Sequence, residues 1–304
     1  MRIGIPRALL YYWYGNTWQN FFRECGLQVV VSSPTEQRTI RNGAEAGIEE
    51  LCLPVKIFLG HLLELAGKVD RLFIPHLVRV EKSAYLCPKF MGLPDIVAHA
   101  LPELRQKMLV VKVGPTVFDM TECLETTAQR QGWKHSAGFR QRSDLTPALQ
   151  ISAEYTANSS NRGLTFGLLG HPYCLYDSCF NLGLLDYLSR QGIQVLTPEM
   201  TPPFLKGVGS GKLTKDLFWT MGRTQFDAMD WMLGDTSPGV DGFIQVASFA
   251  CGPEAIVGDL LERKIKAAKK PLLKLNFEEQ SGEVGFITRL EAFIDLVSYR
   301  SKVC

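Results

Sequence analysis

Short aliphatic runs of strand length alternate along this chain with longer segments whose apolar residues recur at helical spacing, and few folds accommodate that alternation. In the first half, Arg2–Pro6 reads as a strand, Leu9–Phe22 as an aromatic-rich helix ending near Gly26, and Gln28–Val31 as a β-branched strand. Glu36–Glu50 follows as a polar-faced helix. Pro54–Ala66 then sets Val55, Phe58, Leu59, Leu62 and Leu63 on one helical face, and Gly67 stops it. Arg71–Pro75 and Met108–Val113 are compact strands. Thr146–Gly163 is largely polar, and its cluster Asn158–Gly163 is the best linker in the chain. The pattern then restarts with a strand at Leu164–Leu169, a helix at Asn181–Gln191 and a strand at Ile193–Leu196. It continues through strand Gly242–Ser248, helix Pro253–Ala268, strand Leu272–Leu275 and helix Glu283–Val297. Two α/β halves with parallel sheets are expected, residues 1–157 and 158–304, with ligands sought beyond the carboxyl ends of the strands.

Composition supports this reading and removes some functions. The 304 residues are 46% hydrophobic, which is ample for packed cores, and the length suits two domains of about 150 residues each. Thirty-three Lys and Arg against 31 Asp and Glu leave a net charge of only +2, so nucleic acid is a poor partner. No apolar run approaches the ~18–20 residues that span a bilayer. The opening Met1–Pro6 lacks the apolar core of a signal peptide, so a soluble, cytoplasmic protein with no membrane association is expected.

Eight cysteines are too sparse for a disulfide scaffold, and in a reducing compartment they serve as packing residues, ligands or nucleophiles. Three stand at turns that open helices. Cys52 precedes Leu53-Pro54-Val55-Lys56, Cys87 precedes Pro88-Lys89, and Cys251 precedes Gly252-Pro253-Glu254. A helix N-terminus offers unpaired N–H groups and a positive dipole end, which are expected to lower a thiol pKa. Three separated thiolates suggest a soft metal or a cluster rather than structural zinc, whose ligands come in close pairs. Only Cys174 and Cys179 form such a pair. On spacing alone, buried turn cysteines explain the same three residues equally well.

Several runs carry a resemblance. They are Gly4-Ile5-Pro6-Arg7-Ala8-Leu9, Cys52-Leu53-Pro54-Val55-Lys56 followed by Gly60-His61, Pro75, and Cys87-Pro88. Gly170-His171-Pro172-Tyr173 with Tyr176-Asp177, Cys251-Gly252-Pro253-Glu254 and the ending Glu283–Glu291 complete the set. Together they resemble the acyl-CoA dehydratase activase-related proteins. These are kin of the 2-hydroxyacyl-CoA dehydratase D-component, the benzoyl-CoA reductases and the double-cubane cluster proteins. The resemblance implies Rossmann-like parallel-sheet domains, helices on both faces, and an iron–sulfur cluster at their junction. It implies a [4Fe–4S] cluster held by Cys52, Cys87 and Cys251, with the double-cubane [8Fe–9S] cluster as the alternative and Cys123, Cys174 and Cys179 as its further ligands. Cys174, and Cys179 where an aromatic is usual, depart from the family pattern.

The same resemblance implies low-potential one-electron chemistry, 2-hydroxyacyl-CoA dehydratase-like or reductase-like, at an open iron. An ATP-dependent activator or other low-potential donor would supply the electron, an acyl-CoA is the possible substrate, and a homodimer or heteromer the possible assembly. The alternatives are an electron-transfer protein, a cluster carrier without its own substrate, or a metal-free binding protein. His171, Tyr173 and Glu81 are the catalytic candidates, as hydrogen-bond donors or proton relays. Their plainer roles are a loop-bound histidine over a packed tyrosine, and a salt bridge from Glu81 to Lys82 or Arg79. Lys56 is expected to offset cluster charge, as is Lys89, and Glu254 to favour its helix N-terminus without further role. Cys25 and Cys304 read as incidental, the Tyr11–Trp18 aromatics as packing, and Gly207–Thr214 as a mobile surface loop that lacks the G-x-x-x-x-G-K-[ST] phosphate pattern.

Overall fold

In the computed structural model, which describes residues 1–117, 119–135, 139, 146–157 and 163–303, every strand pairing within the sheets is parallel. The chain divides into two units. The first is Met1–Pro147 together with Phe218–Thr220, and the second is Ala148–Leu217 together with Met221–Cys304. The expected linker at Asn158–Gly163 lies outside the described residues up to Arg162, as does Cys304.

The first unit runs β1 (Arg2–Ile5), α1 (Tyr11–Glu24), β2 (Gln28–Val31), α2 (Gln37–Ala46), α3 (Leu53–Ala66) and β3 (Arg71–Leu77). It continues with α4 (Pro88–Met91), α5 (Leu93–Ala100), β4 (Met108–Val113) and α6 (Met120–Gln131). The sheet order is β2-β1-β3-β4. β4 alternates, with Leu109, Val111 and Val113 buried and Val110 and Lys112 exposed, as an edge strand covered on one face should. Trp18 on α1 packs against Phe73 of β3 with ring centroids 4.9 Å apart, and Phe22 meets the same ring at 5.3 Å. α2 and α3 touch backbone to backbone. A Cβ on Gly43 would lie 1.8 Å from the Lys56 carbonyl oxygen, and one on Gly60 would lie 2.1 Å from that of Thr39. Glycine at both positions is what lets these helices approach.

The second unit repeats the plan. It comprises α7 (Pro147–Ala157), β5 (Thr165–Gly170), α8 (Pro172–Leu175), α9 (Leu184–Arg190) and β6 (Gln194–Leu196). α10 (Thr220–Leu233), β7 (Gly242–Ser248), α11 (Gly252–Ala267), β8 (Leu272–Phe277) and α12 (Glu283–Val303) complete it. Its sheet order, β6-β5-β7-β8, matches the first position for position. β7 lies between β5 and β8 and is buried along its whole length. In both sheets the chain winds outward in opposite directions from one central gap, between β1 and β3 or between β5 and β7. Side chains beyond the carboxyl ends of those strands therefore face a ready-made crevice.

The α/β class with parallel sheets and helices on both sides matches the sequence expectation. The loop Gly207–Thr214, expected to be a mobile surface segment, is anchored in its first half. The buried Asp227 carboxylate on α10 accepts N–H bonds from Gly207 at 2.6 Å and Ser210 at 2.7 Å, so the loop is tied down. Among the described residues no helix is long and apolar enough to cross a membrane.

Candidate functional site

Cys52 stands between α2 and α3, not directly after a strand, and is the N-cap residue of α3, with Pro54 in the first turn. Cys87 caps the four-residue α4, and Cys251 caps α11 directly after β7. All three thiols are partly buried. The helix-end geometry is as expected, but its effect on acidity is not. Burial pushes the Cys52 thiol up in pKa, and the pull of Lys89, of the Val55 N–H and of Lys56 does not reverse this. Burial also raises Cys87, and the nearby Cys52 raises it further, which places these two thiols within electrostatic reach of each other. Desolvation outweighs the helix ends, and both groups are held as thiols.

The lysines beside them are engaged with backbone. Lys56, itself buried, donates to the Glu49 carbonyl at 3.1 Å, and Lys89 donates to the Glu50 carbonyl at 2.8 Å. Both brace the turn that leads into Cys52. Glu81 forms a short antiparallel bridge with Ala84 and keeps one carboxylate oxygen buried without a hydrogen-bond partner among the described residues. Burial is the main cause of the raised pKa of Tyr14, and Glu81 adds to it. Cys123 is buried in α6 and donates weakly to the Val117 carbonyl at 3.8 Å. Cys174 is buried in α8, and the Cys179 N–H is held by Asp177 at 3.1 Å.

The second unit assembles a tighter group. His171 directly follows β5 and caps α8, and its Nε2 lies 3.2 Å from Glu254 Oε2 in the first turn of α11. The Tyr173 hydroxyl is 2.8 Å from His171 Nδ1. Burial lowers the His171 pKa while Glu254 pulls it upward. A neutral ring must donate from Nε2 to the acceptor-only carboxylate, which leaves Nδ1 to accept from Tyr173. Gln245 of β7 donates to Glu254 Oε1 at 2.9 Å, and Gln225 of α10 donates to Oε2 at 2.9 Å. Glu254 thus gathers three buried donors, well beyond the helix-end role its position suggested. The signal for this was present: Gln245 is the one amide in the otherwise apolar and small-residue run Gly242–Ser248.

Two doubly wound units of equal sheet order, with polar groups gathered at strand ends of the second, define an α/β protein. Residues 2–201 match the family described as CoA enzyme activase uncharacterised domain (DUF2229), and the chain belongs to that family. No curated protein matches the chain. The match takes in Cys52, Cys87, His171 and Tyr173, whereas Cys251, Gln245 and Glu254 lie beyond it.

Membership corrects the functional expectation. The family is one of CoA enzyme activases, which sets the chain on the activating side rather than as the iron–sulfur component that itself dehydrates or reduces a substrate. Among the described residues, no group of three or more His, Cys, Asp or Glu side chains is placed to hold a metal ion. Cys52 and Cys87 belong to the first unit and Cys251 to the second, each unit with its own sheet. With the family on the activating side and no such group among the described residues, the iron–sulfur, electron-transfer and oxidoreductase readings of the chain's function are withdrawn.

Proposed function

We propose that this chain is an activating module for a CoA-dependent enzyme, with an acyl-CoA dehydratase as the partner of first choice. The observation that carries the reading is the family match across residues 2–201, which takes in the whole first sheet and half of the second. In this role the chain works by docking on the CoA enzyme, and the ATP-dependent activator expected as its partner gives way to the enzyme being activated. The paired thiols Cys52 and Cys87, held protonated by burial, are then elements of a braced turn, fixed by Lys56 and Lys89 for contact with the partner.

The test is co-sedimentation of the purified chain with an acyl-CoA dehydratase from the same cells. A joint species that dissociates when the turn is altered by Lys89→Glu supports the role. Independent sedimentation of the two proteins at tens of micromolar removes it.

A further inference from the structure

At the head of the first sheet stands an arginine that no described acid neutralises. Arg7 lies two residues beyond β1, one of the two strands between which that sheet reverses its winding. Its backbone N–H is held by the buried Ser32 hydroxyl at 2.8 Å, which fixes this turn to the end of β2. The side chain is half-buried, and its guanidinium lies over the Tyr11 ring, 5.7 Å from the centroid. Nε is sealed from solvent without a hydrogen-bond partner among the described residues. Nη1 and Nη2 bond none of those residues either, but they are not sealed, so a ligand can reach them.

The charge of this group is open by geometry. Among the described residues no Asp or Glu forms an ion pair with Arg7. Glu64 on α3 is taken by Lys68 and by the Ser33 hydroxyl, both at 2.9 Å. Glu81 and Asp119 lie within electrostatic reach of Tyr14, one turn further along α1, and neither pairs with Arg7. The start of α1 adds to the positive field, since no side chain caps it and its first turn carries no acid. A guanidinium cannot shed its proton, so a half-buried one without an acid gains most from an oxyanion that takes both terminal nitrogens. Phosphate suits the place better than carboxylate, because its larger charge also meets the helix start.

We infer that Arg7, at the strand-end crevice of the first sheet, binds the phosphate group of a small phosphorylated molecule through the two terminal nitrogens of its guanidinium. The site goes beyond the activating role and holds whichever enzyme the chain activates.

The test is equilibrium dialysis of the full chain at pH 8 against inorganic phosphate and, separately, phenyl phosphate. Both should bind saturably; tighter binding of the ester assigns the site to organic phosphates, and tighter binding of phosphate to the free ion. Arg7→Gln should weaken both by about tenfold or more, the equivalent of a hydrogen bond between charged groups. Arg41→Gln, at an exposed arginine of α2, should leave binding unchanged. Phosphate should also raise the thermal midpoint of the unaltered chain more than that of Arg7→Gln, the general salt effect being common to the two. No saturable binding, an equal loss in Arg41→Gln, or unchanged binding in a folded Arg7→Gln protein overturns the site. Should Arg7→Gln fail to fold, Arg7→Lys decides in its place: it keeps the charge but loses the two-pronged donor, and unchanged phosphate binding there overturns the site as well.

Discussion

His171 Nε2 and Glu254 Oε2 stand 3.2 Å apart inside the second unit, though one follows β5 and the other follows β7. They meet because those two strands are neighbours at the point where the sheet order reverses. Glu254 also receives Gln225 and Gln245, so its carboxylate closes a network of buried donors.

Removing that carboxylate should therefore be far more damaging than removing the far end of the network. Glu254→Leu leaves three buried donors unpaired and is expected to cost about 3–5 kcal/mol. Tyr173→Phe removes a single hydrogen bond and should cost about 1 kcal/mol. Urea denaturation midpoints measure both. Equal losses in the two variants would mean that Glu254 does not organise the group.

His61 on α3 sits in a fully buried site, and burial lowers its pKa from 6.5 to about 4. The unfolded chain therefore takes up a proton at this residue before the folded chain does. Stability is full above about pH 6.5 and falls as the pH drops toward 4, by up to about 3 kcal/mol from this group. Chemical denaturation at stepped pH checks the slope, which His61→Gln should flatten. A slope that survives the substitution assigns the effect to other groups.

Much of the fold was legible in the sequence because its elements carry their own period and punctuation. Gly242–Ser248 appears as a strand with the very bounds its sequence suggests, and Pro54–Ala66 gains only Leu53 at its start. α10 went unread because Thr220–Leu233 mixes Gly222, Arg223, Gln225, Asp227 and Asp230 into its turns; Gln225 and Asp227 face inward to serve Glu254 and the Gly207 loop. The candidate site was readable only as isolated residues. His171 and Tyr173 stood out, but their link to Glu254 depends on strand order, which no local pattern encodes. The thiols were misread in a different way: helix position is visible in sequence, whereas the burial that overrides it is not.

The approach of α2 to α3 rests on two missing side chains. Gly60→Ala puts a Cβ against the Thr39 carbonyl and should destabilise the first unit by about 1–3 kcal/mol or more. Gly67→Ala, at a right-handed φ of −85° with open space around it, is the control and should be neutral or slightly stabilising. Thermal unfolding of the two variants compares them directly. Similar midpoints would contradict the close contact.

Raised pKa values make the helix-end thiols slow nucleophiles. Alkylation of Cys52 and Cys87 by iodoacetamide should climb about tenfold per pH unit through neutrality without levelling. Cys25, pushed up to about 11 by burial and Glu24, should behave in the same way. Peptide mass spectrometry resolves each site. A rate that levels below about pH 8 at Cys52 would show that the helix end wins over burial after all.

The activating role is tested most directly by the turnover of an acyl-CoA dehydratase, from the same cells, measured with and without the purified chain. Activation predicts that dehydration of the acyl-CoA rises with added chain to a plateau set by the enzyme concentration, and that the chain alone turns over nothing. A dehydratase rate unchanged at saturating chain, or acyl-CoA turnover by the chain by itself, would contradict it.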